Sequence, residues 1–182
     1  MKKTLLLAAL LLIILSGCNK LDTSNLKVKE PEDEATDHQI KNRPITYVAD
    51  TLEDGLNALP FDVVLPENLP FEAAPFEAPM IMDLNHDGRM LMAHFKAYDK
   101  GNKEIMLLIQ TDFPVVESSV PESEKIELSN EMKGFYSKNS IAFQLKDVAY
   151  SLIYMNETIT PAEHKEELIQ LANQIIDKKQ GA

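Results

Sequence analysis

The chain has no tryptophan and one cysteine, Cys18, among its 182 residues. A lone cysteine permits no internal disulfide and no zinc site built on several thiolates. Histidine is limited to His38, His86, His94 and His164. No His-Glu-x-x-His pair and no Gly-x-Ser-x-Gly elbow occurs, so the common metalloprotease and serine-hydrolase signatures are missing. Basic residues are outnumbered, 18 against 29 acidic, for a net charge of −11. Nucleic-acid binding requires a basic footprint and is excluded on that balance. Anionic lipid headgroups would repel the same surface. No apolar run reaches the roughly 20 residues of a membrane span; the longest, Leu5 to Leu15, falls well short. Without tryptophan, the core must be built from Leu, Ile, Val and Met with a few Phe and Tyr.

That short apolar run has a specific setting. Lys2 and Lys3 precede it, and Leu15-Ser16-Gly17-Cys18 follows it. A basic start, a short apolar core and small residues at a cleavage point make an export signal. The order Leu-Ser-Gly-Cys resembles the lipobox of bacterial lipoproteins. The resemblance implies removal of residues 1–17 and diacylglycerol on the Cys18 sulfur. Anchoring through two acyl chains is stable where one is marginal. It places the protein on the outer face of a bacterial cell membrane and leaves no thiol for chemistry.

Residues 18–44 are expected to form the acylated cysteine and a flexible acidic tether. The stretch from Lys27 to Asp37 carries Glu30, Glu32, Asp33, Glu34 and Asp37 and almost nothing apolar, so ordering it gains little. A single globular domain is expected over 45–182. Asp50 to Leu56 reads as a short helix with an acidic first turn. Prolines 60, 66, 70, 75 and 79 then forbid helix and central strand, which implies an extended, proline-punctuated edge. From Met80 the pattern alternates with period two. Met80, Met82 and Leu84 are expected on one face with Leu91, Ala93 and Phe95, across a turn at Asn85-His86-Asp87-Gly88. Further strands are expected at Glu104–Thr111 and Lys125–Leu128, and a second hairpin at Ser140–Leu145 and Val148–Asn156. Thr160-Pro161-Ala162-Glu163 is a capping box with proline in the first turn. Behind it Leu168, Leu171, Ala172 and Ile175 share a helical face. The fold class expected is α+β, an antiparallel sheet covered on one face by a C-terminal helix.

Two stretches carry a further resemblance. Phe61-Asp-Val-Val-Leu-Pro-Glu-Asn-Leu-Pro-Phe71 is one. Ile141-Ala-Phe-Gln-Leu-Lys-Asp-Val-Ala-Tyr150, followed by the acidic capped helix with Leu168-Ile169 and Leu171-Ala172, is the other. They resemble an uncharacterised domain of spore-former lipoproteins and of the extracytoplasmic part of some anti-sigma factors. The likeness covers most of residues 55–177 and implies location and fold. It brings no catalytic or ligand residues with it.

Chemistry-bearing clusters are few. Asp83-Leu84-Asn85-His86-Asp87-Gly88 begins like a calcium loop, but the twelfth place holds His94 where a bidentate Glu belongs. Met80, Met82, Met90, Met92, His86 and His94 crowd one hairpin, and thioether with imidazole suits monovalent copper. The expected register separates them, with Met80 and Met82 on one face and Met90, Met92 and His94 on the other, so no metal ligands and no cofactor are assigned. His164 is expected at the edge of the helix's apolar stripe, partly buried at the surface. The functional expectation is a non-catalytic binding module anchored through Cys18. Its partner would be another cell-envelope protein or wall polymer. A metal-binding lipoprotein using the 80–94 hairpin, with copper or calcium, is the alternative.

Overall fold

The computed structural model describes residues 20–30, 43–115 and 123–181. The signal segment 1–17, Cys18 and the acidic stretch 31–42 lie outside the described residues. Nine strands form one wholly antiparallel sheet: β1 (Leu26–Val28), β2 (Ile45–Ala49), β3 (Met80–Asp83), β4 (Leu91–Tyr98), β5 (Met106–Phe113), β6 (Glu124–Leu128), β7 (Met132–Ser137), β8 (Ser140–Leu145) and β9 (Val148–Met155). Their order across the sheet is β1-β2-β3-β4-β5-β9-β8-β7-β6. The first five strands follow one another across the sheet. The chain then passes to the far edge and returns, so that β9 closes against β5 over Met106–Asp112. The described residues also form two α-helices, α1 (Leu52–Ala58) and α2 (Pro161–Gln180).

The expected α+β architecture is what the chain adopts. Strict alternation places Leu91, Ala93, Phe95 and Ala97 of β4 inward, each at most 1% exposed, and leaves Met92, His94, Lys96 and Tyr98 on the opposite face. α2 lies on the inward face. It starts as its sequence predicts: the Glu163 N–H donates to Thr160 Oγ1 and the Thr160 N–H donates to Glu163 Oε2. Its buried stripe of Leu168, Leu171, Ala172, Ile175 and Ile176 meets the sheet. Burial of each large side chain there is worth about 1.5–3 kcal/mol, so the stripe alone rivals the roughly 5–15 kcal/mol by which a domain is stable.

The proline-punctuated segment is extended; residues 72–77 pair along the end of β4, with a bridge Ala73↔Asp99, but residues 60–71 are not an edge of the sheet. It runs over the inward face beside α2, and Phe61, Val64, Leu65, Leu69 and Phe71 pack into the core. Phe61 stacks on Phe113 with centroids 4.6 Å apart, and Phe71 on Tyr154 at 5.8 Å. The Val64 N–H donates to the Tyr150 hydroxyl at 3.1 Å, and Gln174 of α2 clamps both backbone groups of Asn68. Proline removes backbone donors; those of Val64 and Asn68 find side-chain acceptors, and those of Ala74 and Glu77 find β4 carbonyls. The true edges are β1 and β6.

The tether expectation fails for residues 20–30. Leu21 is 8% exposed, its N–H donates to Gly88 O, and the Asp22 N–H donates to Ala58 O. β1 pairs with β2 from Leu26↔Ala49 to Val28↔Tyr47. The composition argument missed this because an edge strand is held by backbone bonds on one side and needs few apolar side chains. Leu21 and Leu26 supply those few. Ordered pairing therefore reaches back at least to Leu21, ahead of the expected start at Ile45. β7 was also missed, since Gly134 interrupts its pattern. A Cβ at Gly134 would meet Leu128 Cδ1 at 2.8 Å, so glycine lets β7 pass against the β6 side chain.

Candidate functional site: the open face of the sheet

With α2 and the proline-rich segment on one side, the opposite face of the sheet has no helix or segment over it among the described residues. The pairing defines a row across all nine strands on this open face. Lys27 stands opposite Val48, Val48 opposite Met80, and Met80 opposite His94. His94 faces Gln110, Gln110 faces Ser151, Ser151 faces Ala142, Ala142 faces Phe135, and Phe135 faces Lys125. A second row brings together Lys96, Leu108, Ile153 and Ser140. The middle of the face is half-buried and largely uncharged. Its exposed large apolar side chains are Phe135 at 36% and Met155 at 45%.

The register here corrects the expected one. Met80 pairs with His94 and Met82 with Met92, so these four side chains share the open face. Met90 sits in the connection outside β4. The expected turn of residues 85–88 is one residue longer, 85–89. The Leu84 N–H closes it on Met90 O, with His86 and Gly88 in the left-handed region at φ 61° and 70°. In a strand ladder one added residue moves every side chain to the other face, and that slip reunites the methionines.

In the loop itself the candidate calcium ligands make turn hydrogen bonds. Asp83 is buried, and its Oδ2 accepts the Gly88 N–H at 2.8 Å. The His86 ring bonds the Arg43 carbonyl. Among the described residues no group of three or more His, Cys, Asp or Glu gathers where it could hold a metal ion. Asp83 Oδ2 and Asp87 Oδ1 thus help to close the turn.

His94 has a defined setting. The Gln110 Nε2–H donates to Asp112 Oδ2 at 2.9 Å, and His94 Nε2 lies 3.3 Å from Gln110 Oε1. Burial lowers the His94 pKa from 6.5; Lys96 lowers it further, against the Gln110 hydrogen bond and Asp112.

Elsewhere the candidate chemistry is structural. His164 is buried rather than at the surface; its Nε2 bonds the Tyr154 carbonyl at 2.8 Å and its ring stacks on Tyr154. Glu167 beside it has its pKa raised, chiefly by burial, against Tyr154 and His164. These groups hold the first turns of α2 to β9. A cleft of about 220 Å³ between Phe61, Phe113, Lys146 and Lys179 is below the roughly 300–1,000 Å³ of small-molecule sites. The sequence reading missed the role of Gln110, Ser151 and Ile153. The period-two alternation of Leu108-Gln110-Asp112 and Ala149-Ser151-Ile153 was the signal that marked them as one face.

No protein-family model, curated protein or solved structure matches the chain. Among the described residues no helix is long and apolar enough to cross a membrane.

Proposed function

We propose that this chain is a lipid-anchored domain on the outer face of a bacterial cell membrane that binds another envelope protein, without catalysis, through the open face of its sheet. The observation that carries the reading is the asymmetry of the sheet: one face is filled by α2 and the proline-rich segment, while the other offers half-buried Met92, Leu108, Ala142 and Ile153 with no helix or segment over them among the described residues. An apolar centre ringed by charge, here Lys27, Lys96, Lys125 and Glu127, has the anatomy of a protein interface. The net charge of −11 disfavours polyanionic wall polymer and nucleic acid as the occupant.

The anchor rests on Leu15-Ser16-Gly17-Cys18. Because the described fold includes Lys20, an acyl group on Cys18 would leave a link of at most about 7 Å between lipid and domain. The domain would then sit against the headgroups, and its partner would be close to the membrane as well.

Two readouts from one set of strains test this. Cys18→Ala should release the protein from membranes washed with high salt and carbonate, since no acceptor sulfur remains. A photo-crosslinker at position 153 on the open face should capture a defined envelope protein, and one at position 170 on the outer side of α2 should not. Retention of processed Cys18→Ala in washed membranes contradicts the anchor. Capture from position 170 but not 153 contradicts the binding face.

A further inference from the structure

We propose that the open face holds one soft monovalent cation, copper(I), between Met80, Met82, Met92 and His94. This inference stands on the register of two strands and on one hydrogen-bond chain, and it does not depend on the lipid anchor or the protein partner.

Geometry comes first. Met80 is directly opposite His94, and Met82 is directly opposite Met92. Residues directly opposite have Cβ atoms about 4.5–5.5 Å apart, and residues two apart along a strand are separated by roughly 6.5 Å. The four positions therefore mark the corners of a small rectangle. A methionine side chain has three rotatable bonds and fits irregular space, so three sulfurs can be drawn over the centre of such a rectangle. All four side chains are half-buried on a face with nothing over it among the described residues, which gives a cation a way in and partial shelter from water.

The ligand set selects the metal. Thioether sulfur and neutral imidazole favour copper(I), whereas calcium, magnesium and manganese need oxygen. Asp112 is the one carboxylate beside the rectangle, opposite Met92, and it is occupied by Gln110.

The imidazole is presented in the right tautomer. A carboxylate only accepts hydrogen bonds, so Asp112 Oδ2 fixes the Gln110 amide with its nitrogen toward Asp112 and its oxygen toward His94. An amide oxygen also only accepts, so the His94 nitrogen facing it, Nε2, must carry the proton. Nδ1 is left with a free lone pair, and among the described residues no hydrogen bond engages it. A carboxylate or amide holding the far nitrogen of a metal-ligating histidine is the usual outer support of such sites. The charged groups on the face beside His94 are Lys96 and Asp112. Binding is reversible coordination: no covalent bond in the protein breaks, and the copper stays monovalent.

The test uses the full chain, purified in detergent with Cys18→Ser so that no thiol competes. Silver(I) serves as the redox-inert probe, and copper(I) is measured against a chromophoric competitor. With methyl-labelled methionine and ring-labelled histidine, one equivalent of silver(I) should shift Met80, Met82, Met92 and the His94 Nδ1 resonance. Met1, Met90, Met106, Met132 and Met155 should stay in place. Met82→Leu with Met92→Leu keeps side-chain volume and should weaken binding more than about 100-fold with the melting temperature held. Gln110→Ala removes only the support of His94 and should weaken it about 10–100-fold. Absence of saturable binding at micromolar metal, shifts confined to the other methionines, or full affinity in the double leucine variant would each overturn the proposal.

Discussion

The two faces of this sheet differ in what their side chains are for. The covered face carries Ile81, Phe95, Leu107, Ile109, Ile141, Leu152 and Tyr154, all with no measurable exposure, and these lock α2 and a proline-rich strap in place. The open face carries Met, His, Gln, Ser and Lys at the matching positions of the same strands. Period two gives each strand both sets at once. A sheet of nine strands can thus place its stability on one side and leave the other free to bind, which a fold buried on both faces cannot do.

The comparison is sharpest where it can be broken by single residues. Leu171→Asp puts a carboxylate into the fully buried stripe of α2. Lost burial and an unpaired buried charge together exceed about 4 kcal/mol, and no cooperative thermal transition should remain by circular dichroism. Gly134→Ala sets a methyl 2.8 Å from Leu128. Overpacking of this kind costs about 1–3 kcal/mol, read as a drop of roughly 2–12 °C in melting temperature for a domain of this size.

The titratable groups on the two sides should respond to pH with opposite sign. Glu167, beside Tyr154 on the covered side, has its pKa raised above 4.5, with burial the leading cause. The fold favours its protonated form, so its contribution is full below 4.5 and lost as pH rises through the raised value. Glu167→Gln should therefore raise the melting temperature at pH 7 and leave it nearly unchanged at pH 4. On the open face His94 has its pKa lowered below 6.5, again by burial first. The fold favours its neutral form, so that contribution is full above 6.5 and lost as pH falls. His94→Gln should remove this acid-side loss, seen as a flatter melting temperature between pH 7 and 5. The smallest effect belongs to Met82→Leu, an open-face change of nearly constant volume, which should move stability by no more than about 0.5 kcal/mol in urea unfolding.

Much of the covered face was legible in the chain, because it is written in repeated, strong signals. The capping box at Thr160, the stripe from Leu168 to Ile176 and the alternation of β4 each predicted their element. The open face was misread through a single residue in the 85–89 connection, since left-handed His86 and Gly88 allow a longer loop than Asp87-Gly88 suggests. Parity then inverted the whole hairpin and scattered a cluster that the register joins. Residues 20–30 were misread for a different reason. Their backbone is paired by β2, Gly88 and Ala58, partners 17 or more residues away, which composition cannot reveal. Cys18 and residues 31–42 lie outside the described residues, and the anchor remains an expectation from Leu15 to Cys18.

The central claim is that the open face is the binding surface of the protein in its natural setting. Methionine oxidation reports on it directly, because a thioether reacts where reagent reaches it. Met82, Met92, Met106 and Met155 all lie on that face, while Met132 lies on β7 among side chains packed against the core. A mild oxidant applied to intact cells and, separately, to the purified chain should find these four methionines protected in cells and reactive after purification, with Met132 reacting alike in both. Equal oxidation of the four in the two settings would contradict the account and leave the open face without an occupant.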